Sequence, residues 1–178
     1  IFVLNQPATN EIDNIINNNL IVGVSSNNFI ESLNDIKKEI KIHIEIGTGM
    51  GRTGINPNRT LEFINKIKKN KNIIIDGVYT HLSSADVDDE YTKKQLESFN
   101  LAVTDAKEVL GRIKYIHAGA SNAILNYPES YFNMVRPGLI LYGVSPKKNT
   151  IGIQHGLKPV MQLESKLIAI HHLNAGDR

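Results

Sequence analysis

The sequence predicts an α/β fold, a partial (β/α)8 TIM-type barrel, and three observations predict it. Short β-branched runs alternate with segments of helical periodicity from Ile1 to Gly143, the order that yields a parallel sheet with right-handed crossovers. Three of these runs end in turns that carry a cation or an imidazole. KIHIEIGTGMGRTGI at Lys41–Ile55 brings Arg52, Gly77–Asp86 brings His81, and Asn133–Gly143 brings Arg136. Polar residues delivered repeatedly at strand C-termini are how such a barrel builds a site. The chain has 178 residues, enough for one core yet short of the roughly 250 of a complete barrel. It opens on Ile1 rather than on methionine and reads like the middle of a domain, so a fragment is expected.

Each element has its own warrant. Ile1–Leu4 is a short apolar strand, and Asn10–Asn18 carries Ile12, Ile15 and Ile16 at helical spacing. Leu20–Val24 is the second strand. Ser26 is placed to cap a helix running to about Lys38, with Phe29, Leu33 and Ile36 inward. Ile42–Ile46 is the third strand. Pro57 opens a helix over Asn58–Lys69, because proline suits the first helical position. Ile73–Thr80 is the fourth strand, followed by a long helix from about Asp88 to Leu110 that Gly111 closes. Tyr115–His117 is the fifth strand, and a short helix holds Ala123–Leu125. Met134–Arg136 and Leu139–Tyr142 are expected to form a sixth strand and its exit. Near Gly152 the pattern changes. Pro159–Ile170 alternates apolar and polar residues with no helix between, then turns at Asn174–Asp177, which predicts the start of an antiparallel β segment. Two domains follow: residues 1–152 and residues 153–178.

Composition excludes several function classes. A net charge of +2 with 21% charged residues calls for neither nucleic acid nor an anionic membrane surface. Cysteine is absent, which removes disulfides, thiolate metal sites and cysteine nucleophiles. No stretch approaches the roughly 18 apolar residues of a membrane-spanning helix. Ile1–Leu4 lacks the basic region and cleavage site of a signal peptide. No metal cluster is visible. His171 and His172 are adjacent on an expected strand, where their side chains point to opposite faces.

Gly49-Met-Gly51-Arg-Thr-Gly54 matches G-x-G-x-x-G after a strand, with Asp76 about 20 residues on. A dinucleotide site needs a helix to begin inside that motif. Here Ile55-Asn-Pro57-Asn follows, so the helix starts too late. Arg52, framed by glycines, instead suits a planar fork that binds something. Glu45 on the preceding strand is its candidate partner, since a lone buried carboxylate is costly. His81 closes the fourth strand and precedes Ser83, Ser84 and Asp86. In barrels, the loops after the last two strands commonly bind phosphate. In those loops Ser121 offers a hydroxyl, Gly138 and Leu139 offer backbone N–H groups, and Pro137 fixes the turn.

At these residues the chain resembles the fold-type III pyridoxal-phosphate enzymes, specifically bacterial alanine racemase. TGMGRTGI at Thr48–Ile55, THLSSAD at Thr80–Asp86 and VRPGLILYG at Val135–Gly143 are similar to three signature segments of that family, in order. Gln95-Leu-Glu-Ser-Phe99 and the closing LKPVMQLESKLIAIHHLNAGD also match. By position, the resemblance implies that Arg52 contacts the cofactor's phenolic oxygen and the substrate region. It implies that Arg136 faces the pyridine nitrogen and that His81 stands beside the ring. Ser121 and the N–H groups of Gly138 and Leu139 would hold the phosphate. Arginine has no proton to give at neutral pH, which favours return of a proton to Cα over transamination.

Three positions depart from the family pattern. Gly47 stands where aspartate is usual, Glu45 where a carbamylated lysine often stands, and Ala120 where asparagine precedes the phosphate serine. The cofactor lysine of the family lies in a first-strand segment resembling KAxAYGxG, and the second base is a tyrosine of the C-terminal β domain. Neither falls within the 178 residues, so the resemblance implies barrel strands three to eight, no catalytic base in this chain, and an inactive fragment. The implied activity is interconversion of L- and D-alanine, supplying D-alanine for peptidoglycan, with pyridoxal 5'-phosphate, in a cytoplasmic homodimer. A serine or broad-specificity racemase and a non-catalytic pyridoxal-phosphate-binding barrel are the alternatives, with a dinucleotide-binding protein third.

Overall fold

Alternating strands and helices build a half-barrel in the computed structural model, which describes residues 1–145 and 156–177. The strands are β1 (Phe2–Val3), β2 (Ile21–Val24), β3 (Ile40–Ile46), β4 (Ile73–Thr80) and β5 (Tyr115–His117). Between them run α1 (Ile12–Asn17), α2 (Asn27–Ser32), α3 (Thr60–Ile67) and α4 (Asp89–Leu110), with α5 (Ser121–Asn126) after β5. The sheet order is β1-β2-β3-β4-β5 and every pairing is parallel. Each strand therefore lies beside its predecessor in the chain, with a helical crossover between, as a barrel requires.

Both faces of the sheet are covered. Ile42, Ile44 and Ile46 of β3 join Phe29, Leu33, Phe63, Ile64, Ile67 and Phe99 from the helices in one core. Successive side chains on a strand point to opposite faces, so His43 and Glu45 look the other way. There His43 stacks on Phe2, with ring centroids 4.4 Å apart, and sits 5.0 Å from His117. The register between β3 and β4 slips once. Ile42 pairs Ile75 but His43 pairs Gly77, which leaves Asp76 as the extra residue of a bulge. A Cβ on Gly77 would stand 2.8 Å from three atoms of the His43 ring, so glycine there makes room for the imidazole.

Local chemistry sets the helix ends. The Asp88 carboxylate accepts from Tyr91 N at 2.9 Å to start α4, and Gly111, at φ +68°, ends it. Ser26 caps α2 as expected, but α2 stops at Ser32, well before Lys38. The Ser32 hydroxyl bonds back to the Phe29 carbonyl at 2.7 Å, and Leu33 and Asn34 close three-residue turns that release the chain.

Two strand expectations are corrected. The sixth strand does not form. Arg136 makes one isolated bridge to Ala120, and Leu139–Tyr142 is a 3-10 turn. Asn133 does the pairing instead: its side chain accepts from Ile116 N at 2.7 Å and donates to Lys114 O at 2.9 Å. A side chain thus satisfies the edge of β5, and Pro137 has no N–H to extend a ladder. Pro159–Ile170 forms no strand among the described residues: Val160 N donates to Tyr142 O at 3.3 Å, but the contact does not extend into a ladder. Val160, Met161, Leu163, Leu167, Ile168 and Ile170 are exposed. The expected domain boundary at residue 152 lies outside the described residues.

Candidate active site

A cavity of about 490 Å³ opens beyond the C-terminal ends of β4 and β5. Its lining includes His81, Ser121, Arg136, Gly138 and Leu139, five of the residues singled out from the sequence, together with Asp86 and Asn122. They meet there because the turns after β4 and β5 face each other. The short Ser121–Asn126 helix and the turn through Pro137 close the far side.

Arg136 is held by the ends of both strands. Its Nη2 donates to Thr80 O at 2.8 Å and Ala118 O at 3.2 Å, and its Nη1 reaches His117 Nδ1 at 2.5 Å. The guanidinium also lies over the Tyr79 ring, 5.5 Å from its centroid. The residue as a whole is half-buried, but its Nε is sealed from solvent without a partner. Burial pulls the guanidinium down to about 10, still cationic at neutral pH. His117 Nε2 lies 2.8 Å from His43 Nδ1, so the contact continues into the barrel interior. Both imidazoles are held well below the ordinary 6.5, first by burial; the Arg136 charge pushes the same way.

His81 is half-buried on the cavity wall and its Nδ1 has no partner. Burial, then the charges of Arg136 and Arg52, keep it neutral. On the opposite wall the Ser121 hydroxyl receives Gly138 N at 2.9 Å and Ile140 N at 3.5 Å. Ile140 lies in the 3-10 turn that starts at Leu139. A Cβ on Gly138 would meet only Ser121 Oγ, at 3.6 Å, so the wall is open at that point.

Arg52 is placed differently. It is exposed and lines a separate depression with Gly47, Gly49, Gly51, Thr53 and Gly54. The expected Glu45–Arg52 pair does not form; no hydrogen bond or ion pair among the described residues joins them. The loop folds back on β3, with Ile55 N on Glu45 O and Gly47 N on Ile55 O, both at 2.8 Å. Gly54, at φ +107°, packs against the Gly47 backbone so tightly that a Cβ there would lie 2.5 Å from Gly47 N. That fold swings Thr53 over the carboxylate, and its hydroxyl donates to Glu45 Oε1 at 2.9 Å. Glu45 Oε2 remains buried without a partner.

Two residues with structural roles at the site had no role in the sequence reading. His117 closes β5 beside Tyr79 just as His81 follows Thr80, a positional parallel that was available as a signal. Gln95 of α4 is fully buried and ties two loops. Its Oε1 accepts from Ser83 N at 3.0 Å, and its Nε2 donates to Thr48 Oγ1 at 3.3 Å. In the sequence reading Gln95 figures only as the first residue of the matching segment Gln95–Phe99, with no role of its own. Among the described residues no group of His, Asp and Glu is arranged to hold a metal ion, and no helix is long and apolar enough to cross a membrane.

Comparison with known proteins gives the same direction throughout. Residues 1–146 match the family model described as alanine racemase, N-terminal domain. Alanine racemase 2 of Clostridium acetobutylicum is 32% identical over 168 residues, which is 92% of this chain and 42% of the relative. The alanine racemase of Methanococcus maripaludis is 36% identical over 177 residues, 96% of this chain and 47% of its own. Among solved structures, the alanine racemase of Clostridium difficile 630 in complex with cycloserine superimposes with a TM-score of 0.78 at 30% identity. That match covers 83% of this chain and 42% of the other. The chain spans about half the length of the curated relatives it matches.

Proposed function

Since this chain belongs to the alanine racemase N-terminal domain family, we propose that its cleft is the pyridoxal-phosphate site of a protein that interconverts L- and D-alanine. The observation that carries the reading is the pairing of two unlike walls across one cavity. One wall carries N–H groups that converge on the Ser121 hydroxyl, and the other a charged guanidinium fixed by strand-end carbonyls. A phosphate needs the first and an aromatic nitrogen base suits the second. The residues fit such a group: Gly138 leaves its wall open, and Arg136 Nε is a buried polar atom that nothing yet satisfies.

Within this reading each residue has a task. Ser121 and the turn at Gly138–Ile140 hold the phosphate, with Leu139 walling the entrance. Arg136 donates to the ring nitrogen and, remaining cationic, keeps its own protons. His81, neutral, packs beside the ring. Arg52 supplies positive charge from the glycine loop toward the substrate region, and Glu45 supports that loop through Thr53. Pyridoxal phosphate, when bound, supplies an electron sink that makes a Cα proton removable. Bases on either face of the substrate would have to come from elsewhere in the full-length protein. Residues 153–178 belong to this proposal as the entry to a β domain, as do a cytoplasmic setting and a homodimer.

The test has two arms. The full-length protein should convert L-alanine to D-alanine with added pyridoxal phosphate; no D-alanine would overturn the activity, and faster turnover of L-serine would move the substrate. The 178-residue chain, titrated with pyridoxal phosphate, should lose tenfold or more in affinity in Ser121→Ala and in Arg136→Leu. Equal binding in both variants would remove the cleft from the proposal. Borohydride reduction should label no single lysine of this chain stoichiometrically.

A further inference from the structure

Behind Arg136 runs a line of two nitrogen–nitrogen contacts, through His117 to His43, that the proposed chemistry does not itself use. Its polarity can be worked out. A guanidinium only donates, so the 2.5 Å contact makes His117 Nδ1 an acceptor. A neutral His117 then carries its hydrogen on Nε2. That hydrogen points at His43 Nδ1, 2.8 Å away, which must also accept. His43 therefore carries its hydrogen on Nε2, an atom buried without a partner. Protonating either ring would set two donors face to face across one of these contacts.

The seat of His43 is specific. It lies opposite Gly77 at the bulge formed by Asp76, and any side chain at residue 77 would collide with the imidazole. Phe2 stacks on its face and Tyr115 tilts against it, with centroids 4.4 and 5.5 Å away. Bulges commonly re-aim a side chain next to a site. The Asp76 carboxylate, whose Oδ2 is buried without a hydrogen bond and lies 3.7 Å from Lys114 Nζ, pulls His43 toward its charged form, but burial outweighs that pull and keeps the ring neutral.

We propose that His43 is a positioning residue for Arg136. By accepting the Nε2 hydrogen of His117 it fixes the imidazole tautomer whose Nδ1 receives the guanidinium, and the bulge at Asp76–Gly77 makes its seat. The consequence is directional. Every hydrogen in the line points away from the cleft, so Arg136 faces its ligand as a rigid donor with no acceptor behind it free to turn. This rests on the cofactor reading for its purpose, but not for its test, which needs no cofactor; each can fail alone.

The test is nitrogen NMR on the ¹⁵N-labelled 178-residue chain at pH 7. His43 and His117 should each show a protonated Nε2 and an unprotonated Nδ1. A hydrogen on Nδ1 of either ring, or a cationic His43, would overturn the proposal. In His43→Leu the sharp guanidinium N–H signals of Arg136 should broaden or vanish. In His43→Asn, whose amide oxygen takes the place of Nδ1, they should return. Arg136 signals unchanged in the leucine variant, or not restored in the asparagine variant, would also overturn it. Should His43→Leu not fold, the wild-type tautomers and His43→Asn still decide.

Discussion

Arg136 and Arg52 both follow strands of one sheet, and the molecule treats them in opposite ways. Arg136 leaves a turn pressed against β5. Two strand-end carbonyls and a neutral imidazole take its hydrogens, and the Tyr79 ring lies beneath it. Arg52 leaves a loop of glycines, is exposed, and forms no hydrogen bond or ion pair with the described residues. The loop itself is well fastened, through Gly54 on Gly47 and Thr53 on Glu45. Its backbone is fixed and its arginine is not. A cation fixed by the fold suits a ligand atom that never moves, whereas a cation on a fixed turn but free at its tip suits a group that arrives and leaves.

The largest effect that would break this contrast is on Arg136. Arg136→Leu leaves Thr80 O and Ala118 O unsatisfied and strips His117 of its donor. Hydrogen bonds from a charged group contribute about 1.5–3 kcal/mol each, so the variant should lose roughly 3 kcal/mol of stability in urea unfolding. A loss below 1 kcal/mol, on the same scale, would mean that Arg136 is no better fixed than Arg52. Next comes Gln95, which fastens the loops after β3 and β4 to α4. Gln95→Leu removes its bonds to Ser83 and Thr48 and should cost about 2 kcal/mol, with faster hydrogen exchange at Ser83 N. Exchange there at the wild-type rate would show that the loops hold without it.

Sequence legibility divides along the same line. The five parallel strands were readable because each is a β-branched run between helical segments. The cavity residues His81 and Ser121 were readable because they follow the runs of β4 and β5, and Arg136 and Gly138 because they flank Pro137. The Glu45–Arg52 pair was misread. Seven residues of spacing say nothing about a loop that folds back, and two glycines in close contact brought Thr53 to the carboxylate instead. The sixth strand was misread because Asn133 satisfies the edge of β5 with a side chain, which periodicity does not register. The His43–His117 contact, 74 residues apart in sequence, became visible only once the bulge at Asp76 had set the register.

A smaller effect comes from acid. His43 and His117 titrate below 6.5 in the fold and near 6.5 when unfolded. Below 6.5 the unfolded chain binds more protons than the folded one, so stability is complete above that pH and falls as pH drops. The slope is at most about 1.4 kcal/mol per pH unit for each proton. Urea midpoints at pH 7.5, 6.5 and 5.5 should decline across the last step, and less steeply in His43→Asn. A flat profile would mean that these rings take up protons in the fold as readily as in the unfolded chain, which the line of acceptors behind Arg136 forbids.

The smallest expected change is at Arg52, and it sharpens the comparison most. Arg52→Gln removes an exposed side chain that satisfies no described partner, so stability should stay within about 0.5 kcal/mol of wild type. Its charge still reaches the cavity, since Arg52 helps hold His81 below the usual imidazole range, after burial and Arg136. Removing it should therefore raise the His81 midpoint in an NMR titration without moving the unfolding curve. The rise should be smaller than that from Arg136→Leu, because Arg136 is the larger of the two charge effects, and it should shrink as salt is added. A His81 midpoint that does not move would separate the glycine loop from the cavity electrostatically. A stability loss as large as that of Arg136→Leu would show that Arg52 is anchored after all.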